Sequence, residues 1–376
     1  MKVVFLCGAM EAGRDGVGDY VRRLSAELIR QGHHPAVVAL NDRYIQDVFF
    51  EIQKTEGTII PVLRIPENWS NKRRYGIANK FITDFGPEIL SLQFVPYSFH
   101  VKGIPYHMLF GLKHILTEKR FKFHVMFHEM WLDTPVGVLQ RITAIAQKML
   151  VARLVKMLKP AIVNVSIPFN QIRLKKMGIT SAILNLFGNI YKEGRMDVPL
   201  KTEWRKHIDG ISLLYFGAPP KGRFLKELTD KLEAFCEVSR FSFTIFLACG
   251  RSGAKDRFVE ELHVKLDVFG CEIVDCGFLE IDMISSLMTQ CTAGISRSSA
   301  NLLGKSGGTV AMLEHGLPVW MPKWDGSDKL GLGFREELIF ADLNSAIATM
   351  KKHKYQPILE DVAKDFLKQF NSPQVT

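Results

Sequence analysis

The stretch Gly304-Lys305-Ser306-Gly307-Gly308-Thr309 runs directly into Val310-Ala311-Met312-Leu313-Glu314-His315-Gly316-Leu317-Pro318-Val319. It reads as the N-terminus of a helix that leads into a strand at 319–321. Ser306 and Thr309 are good N-cap residues, the glycines bring backbone N–H groups to the surface, and Lys305 adds a positive charge. The stretch is therefore built as a diphosphate cradle, with a glycine-rich connection and a solvated lysine as the plain alternative. Its lysine precedes the glycines, unlike a Walker loop, so ATP hydrolysis is not implied.

Outward from that stretch, short β-branched or aromatic runs at 211–216, 243–248, 272–276, 293–296 and 319–321 alternate with amphipathic helical patterns. The same alternation occupies the first half, with strands at 3–7, 36–40, 89–92, 124–127 and 162–166. This is the α/β signature of parallel sheets with crossover helices, and it predicts two Rossmann-like, doubly wound domains. In the helix after the first strand, Val21, Leu24 and Leu28 share a face while Arg22, Arg23 and Arg30 point elsewhere.

The polar stretch before residue 210, with Lys192, Glu193, Arg195, Lys201, Glu203, Arg205 and Lys206, reads as a linker. The predicted organisation is a first domain over 1–190, a linker over 191–209 and a second domain over 210–355. A final helix over 356–376 has Val362, Phe366 and Phe370 on one side and packs back on the first domain.

The chain has 376 residues, length enough for two domains of about 150 residues or somewhat more each. Hydrophobic residues make up 47% and charged residues 23%, a globular balance that excludes fibrous and disordered classes. No apolar run reaches the ~18 residues that a membrane span needs. The opening run from Met1 to Cys7 is too short for a signal peptide and reads as a buried strand. Six cysteines at 7, 236, 249, 271, 276 and 291 show no CxxC spacing, which predicts a reduced, cytoplasmic compartment. The formal net charge of +10 implies an anionic partner: a phosphorylated ligand, an anionic lipid surface or nucleic acid. No RNA-binding or helix-turn-helix signature accompanies the charge, which ranks nucleic acid last.

A second glycine-bearing turn, Gly13-Arg14-Asp15-Gly16-Val17-Gly18-Asp19-Tyr20, lies between the first strand and its helix. Glycines here allow close approach to a ligand, or simply a tight turn. The third glycine of the dinucleotide fingerprint is missing and no acidic residue ends strand two, so a dehydrogenase is disfavoured.

Together, Gly16-Val17-Gly18-Asp19-Tyr20 and Ala311 to Val319 resemble the two ends of a GT-B glycosyltransferase of the group 1, or family 4, type, over nearly the whole chain. Phe127-His128-Glu129-Met130-Trp131 resembles the family's segment whose histidine sits at the cleft beside the donor sugar. By its chemistry alone His128 is a base, a hydrogen-bond partner or a structural histidine. Phe216 to Gly222 resembles the family's turn in which an arginine and a lysine hold the donor diphosphate. Lys221 matches the lysine, and Ala218 stands where the arginine belongs. Phe187-Gly188-Asn189-Ile190 is similar to the family's hinge segment, and Ser296 takes the place of its "PS" pair.

The paired glutamates of the family are absent. The second should stand five residues before Gly316 and the first eight before that; these positions hold Ala311 and Leu303. Glu314, three residues after Ala311, reads as a surface charge.

The resemblance implies a hexosyl-transferring glycosyltransferase with two domains facing a cleft. Its donor is a nucleotide-sugar co-substrate, and neither metal nor further cofactor is called for. Gly16, Gly18, Lys221, Lys305, Ser306, Gly307, Gly308 and Thr309 are the candidate donor-binding residues, and His128 and Asp19 the candidate catalytic ones. The acceptor would be a glycan, a lipid-linked or a small molecule. The missing acids also suit a non-catalytic relative that binds a nucleotide or glycan as a partner or scaffold.

Cations concentrate in the first half: Lys72, Arg73 and Arg74; Lys113, Lys119, Arg120 and Lys122; Arg141, Lys148, Arg153, Lys156 and Lys159. The amphipathic segment 138–159 suits an anionic lipid interface, which would place the protein peripherally at the inner membrane face. A core-packing helix with solvated lysines is the favoured reading. The apolar run 106–110 beside Lys113 suits a lipid-linked acceptor or a buried loop equally.

Overall fold

The computed structural model describes residues 1–117, 121–192, 194, 198–250, 252–349 and 353–371. Among these the chain divides into two compact units, Met1–Asn185 with the chain end from Leu359, and Leu186–Ile358.

The first unit runs β1 (Lys2–Cys7), α1 (Gly16–Arg30), β2 (His34–Asp42), β3 (Phe49–Thr55), β4 (Thr58–Pro66), α2 (Asn71–Phe85), β5 (Ile89–Phe94), α3 (Pro96–Phe99), α4 (Tyr106–Leu116), β6 (Lys122–Phe127), α5 (Gly137–Leu158), β7 (Ile162–Val165), α6 (Pro168–Lys175) and β8 (Ala182–Ile183). Among the described residues its eight strands lie in the order β3-β4-β2-β1-β5-β6-β7-β8. All pairs are parallel except β3 with β4. β1 is buried from Val3 to Cys7, with Val4 registered between Ala36 and Leu90. A strand covered on both faces needs such a continuous apolar run.

The sequence reading has no β3–β4 hairpin. Glu56 and Gly57, at φ 45° and 73°, make its two-residue turn. β3 is an edge strand of alternating exposure, and β4 carries the buried Arg64, which interrupts its apolar pattern. Arg64 is held by Asp42 and Glu11, each at 2.7 Å. The hairpin also corrects the reading of α1. Arg22 and Arg23 are buried, Arg22 donating to Gln53 at 2.9 Å and Arg23 pairing with Glu56.

The second unit contains α7 (Thr202–Arg205), β9 (Ser212–Phe216), α8 (Gly222–Ser239), β10 (Thr244–Ala248), α9 (Gly253–Leu266), β11 (Glu272–Asp275), α10 (Ile281–Gln290), β12 (Ala293–Ile295), α11 (Gly307–Glu314), β13 (Val319–Trp320), β14 (Ile339–Phe340) and α12 (Leu343–Ala348). Its parallel sheet has the order β11-β10-β9-β12-β13-β14. Where the sequence predicts a linker over 191–209, Leu200 and Trp204 are buried in this unit's core, the indole edge-on to Phe246 at 6.0 Å. The charged residues around them mask that apolar spacing. Glu193 and Arg195 lie outside the described residues.

The chain then returns to the first unit as α13 (Leu359–Asn371). Phe366 packs 5.7 Å from Phe5 and 5.2 Å from His124, and Gln31 of α1 donates to the Glu360 carbonyl at 3.2 Å. Residues 372–376 of the predicted final helix lie outside the described residues.

Two surface expectations change. The apolar body of 138–159 is core only in part: α5 buries Gln147, Leu150, Val151, Leu154 and Leu158, while Val138, Leu139, Ile142, Ile145 and Met149 face outward. The run 106–110 opens a helix instead of a loop, with Met108 and Leu109 buried and Phe110 exposed. Arg74 is buried and donates to the Leu40 carbonyl at 3.1 Å; Lys119 and Arg120 lie outside the described residues. No helix among the described residues is long and apolar enough to cross a membrane. The six cysteines are buried free thiols, and the Cys236 and Cys271 sulfurs lie 3.6 Å apart.

Candidate functional site

The strand order of the second sheet reverses direction between β9 and β12, so the loops leaving their carboxyl ends diverge. In open α/β sheets that divergence forms the ligand crevice, whatever the family. After β9, Gly217 at φ 115° and Gly222 at φ 55° shape a turn that L side chains resist. Within it the Ala218 carbonyl accepts from the Tyr215 hydroxyl at 2.9 Å and from Arg297 Nη1 at 3.4 Å.

After β12 a tight turn over Ala300–Lys305 delivers the chain to α11. Ser306 caps this helix, its hydroxyl accepting from the Thr309 amide at 3.3 Å. The hydroxyls of Ser306 and Thr309 lie 2.8 Å apart, and Thr309 in turn meets Ser296 at 2.9 Å. This ladder fixes the start of α11 against the end of β12. A Cβ at Gly308 would stand 3.1 Å from the Phe216 ring, and one at Gly307 would stand 3.3 Å from Asn189. The glycines thus let the helix start sit down on β9. First-turn amides have no acceptor inside their own helix, and the helix dipole gives this end positive character. Lys305 is half-buried at the end of the preceding turn, and Lys221 is exposed at the N-cap of α8. The structure therefore brings Lys221, Lys305, Ser306, Gly307, Gly308 and Thr309 to one sheet edge.

Sequence reading missed two cations there. Arg297 leaves β12 and reaches the turn where Ala218 replaces the expected arginine. Lys323 follows β13, 4.1 Å over the Phe224 ring. Burial holds the Lys323 pKa below the ordinary lysine value; Glu227 raises it and the neighbouring Arg297 cation lowers it further. Two cations thus stand within each other's field at this strand edge, with Glu227 beside Lys323. The usable signal was position: each follows a strand's carboxyl end. Beyond them opens a cavity of about 1000 Å³, lined by Ser299, Asn301, Lys323, Trp324 and Asp325 among others.

Leu303 and Ala311 are fully buried in the core. Glu314, expected on the surface, is also fully buried. Its Oε1 accepts from the amides of Gly188 and Ile358, each at 3.2 Å, and its own carbonyl accepts from the Gln356 amide at 2.8 Å. Glu314 thus ties down both ends of the second unit, because neighbouring chain segments cover the helix face that looked solvated.

In the first unit Gly16 is exposed, while Gly18 and Asp19 make contacts within their own turn. Asp15 caps α1, accepting from Val17 at 3.0 Å and Gly18 at 2.8 Å, so the protein's own carboxylate occupies the anion-binding end of that helix. Burial raises the pKa of Asp15. A Cβ at Gly18 would stand 2.7 Å from the Ala9 carbonyl, a packing requirement. Asp19 accepts from the Gly13 amide at 3.1 Å and pairs with Arg22 at 2.5 Å, which holds the turn together.

His128 stands just beyond β6, edge-on to Tyr20 at 4.8 Å, with Nε2 2.9 Å from Gln93 Oε1. Gln93 donates to Ser91 at 2.7 Å, Ser91 meets His124 Nδ1 at 2.7 Å, and His124 Nε2 meets Asn164 Oδ1 at 2.8 Å. Asn164 donates to Gln369 of α13 at 2.9 Å. Burial pushes the His124 pKa down to about 4, so its ring is neutral. With Nε2–H given to Asn164, Nδ1 accepts from the Ser91 hydroxyl, and the chain of donors ends with His128 Nε2–H donating to Gln93. His128 therefore carries a proton on Nε2.

Among the described residues no three His, Cys, Asp or Glu side chains are grouped to hold a metal. No protein-family model matches the chain, and no curated protein matches it either. Solved structures do. Anabaena HepE, in complex with UDP and glucose, aligns at TM-score 0.56 and 13% identity, over 99% of this chain and 100% of that one. UDP-GlcNAc 2-epimerase from Methanocaldococcus jannaschii aligns at 0.51 and 9%, over 98% and 99%. The α,α-trehalose 6-phosphate synthase from Burkholderia multivorans aligns at 0.52 and 10%, over 99% and 91%. These are GT-B-type nucleotide-sugar enzymes, and the present chain has the GT-B fold.

Proposed function

We propose that the protein is a glycosyltransferase that takes a hexose from a nucleotide-sugar donor without a metal or further cofactor. The observation that carries this reading is the cationic sheet edge, where Lys221, Arg297 and Lys305 flank the start of α11. The donor diphosphate rests on the first turn of α11. The cations and amide dipoles neutralise the charge that grows on it as the sugar leaves, the work a metal ion does in other transferases. The UDP of a structural neighbour's complex is a ligand of the kind such an edge suits. In the first unit, His128 is the proposed acceptor-side residue, assisting transfer of the acceptor hydroxyl's proton. The acceptor is a glycan, lipid-linked or small molecule, and the protein works in the cytoplasm.

The test is a thermal-shift panel of nucleoside diphosphates and their sugar conjugates, followed by an assay of donor turnover. A ligand at a hundred times its Kd stabilises by about 2.7 kcal/mol. Stabilisation by one nucleotide series, lost in Lys305→Ala, supports the reading; no shift with any series refutes it.

The burial of Leu303 and Ala311 where the resembling family has acids favours a second reading, a non-catalytic nucleotide- or glycan-binding partner or scaffold. It predicts the same stabilisation with no turnover of the donor.

A further inference from the structure

The outward face of α5 is apolar and carries cations at its flank and end. Val138, Leu139, Ile142, Ile145 and Met149 are between 57% and 81% exposed. At 100° per residue Val138, Ile142, Ile145 and Met149 form one stripe within about 60°, with Leu139 beside it, on the side away from the buried Gln147, Val151 and Leu154. Arg153 and Lys156 continue the stripe on the next turns, and Arg141 and Lys148 run along its edge; all four are exposed. Gln147 fixes the neighbouring loop to the helix by donating to the Gly103 carbonyl at 3.1 Å, and this loop presents Val101, 86% exposed, and Lys102.

Monomers rarely leave so contiguous an apolar stripe in water. Its charge selects the occupant. α5 contains four cations and no Asp or Glu, and Asp133 ahead of it is taken by Arg173. We propose that this face docks on an anionic phospholipid bilayer. The aliphatic side chains enter the acyl boundary and the flanking cations lie among the headgroup phosphates. A second copy of the chain fits poorly, because a symmetric pairing would set like cations together with no carboxylate between them. Long lysine and arginine stems suit the bilayer, since they lie along the apolar layer while their charges stay at its surface.

The test is co-sedimentation of the full chain with vesicles of phosphatidylcholine and phosphatidylglycerol, against vesicles of phosphatidylcholine alone. No donor is needed, so the result is independent of the sugar-transfer reading. Binding to the anionic vesicles is expected, with loss in Leu139→Glu/Ile142→Glu. Weakening of about fivefold is expected for each cation removed in Arg141→Gln and Lys148→Gln. The substituted side chains are exposed, and an unchanged melting temperature confirms that each variant folds. Equal binding to both vesicle types, no binding, or binding unaffected by the glutamates would overturn the proposal. So would a dimer in light scattering that Leu139→Glu/Ile142→Glu converts to monomer, which would make the stripe a self-association surface.

Discussion

Arg297 Nη1 donates to the Ala218 carbonyl at 3.4 Å, so a cation from the end of β12 sits on the turn that follows β9. Two loops that are distant in sequence thereby share one positive edge. An arginine is thus present at the turn although the turn's own sequence supplies none.

Arg297→Ala is expected to weaken nucleoside diphosphate binding about tenfold to a hundredfold, the effect of removing a hydrogen bond to a charged group. Its side chain is exposed, so the melting temperature should hardly move. Calorimetric titration with nucleoside diphosphate and with the bare nucleoside separates the outcomes. A loss confined to the diphosphate supports the assignment; an equal loss for both, or none, refutes it.

Ser306→Ala removes the cap of α11 and breaks the hydroxyl ladder to Ser296. A cost of about 1 kcal/mol is expected in urea unfolding, together with weaker diphosphate binding. Unchanged binding would detach α11 from the donor.

Glu314 and Gly188 form a coupled pair. A Cβ at position 188 would stand 2.6 Å from the Ala311 Cα and 2.5 Å from Glu314 Oε2. Gly188→Ala should destabilise by about 1–3 kcal/mol through overpacking. Glu314→Ala should cost a comparable amount or more, by stranding the amides of Gly188 and Ile358. A double-mutant cycle should show the two effects to be non-additive, since they share one contact; additive costs would contradict the geometry.

His124 predicts a pH dependence. The unfolded chain takes up its proton near the ordinary value of 6.5, the folded chain only near 4. Between these values the unfolded state binds more protons, so its contribution to stability is full above about 6.5 and falls as the pH drops towards 4. The loss amounts to about 3 kcal/mol over the window. His124→Gln should flatten that part of the stability profile, and an unaltered slope would place the titration elsewhere.

His128→Ala should lower transfer by about a hundredfold or more while leaving nucleotide affinity intact. Gln93→Leu tests the tautomer separately. Without Gln93 Oε1 the imidazole no longer has its Nε2 proton fixed, so kcat should fall while donor KM holds. A kcat that is unmoved in both variants would return His128 to a structural role.

The sequence by itself determined the central parallel strands of both sheets and the start of α11. Continuous apolar runs such as Val3 to Cys7 fit a strand buried on both faces, and Ser306 with two glycines fits the start of a helix wherever it lies. These are local signals, set by backbone geometry and capping. The β3–β4 hairpin escaped because an edge strand has no strong apolar period and because Arg64 is neutralised by partners far along the chain. Tertiary structure alone decided the rest. Whether Glu314 is solvated depends on segments at 188 and 356–358 that cover it. Whether Asp19 meets a ligand or Arg22 depends on the turn around it. The apolar stripe of α5 reads the same facing a core or facing outward, since periodicity defines a face but not its neighbour. Arg297 joins the candidate site because parallel pairing sets β12 beside β9, a proximity that exists only once the sheet has formed.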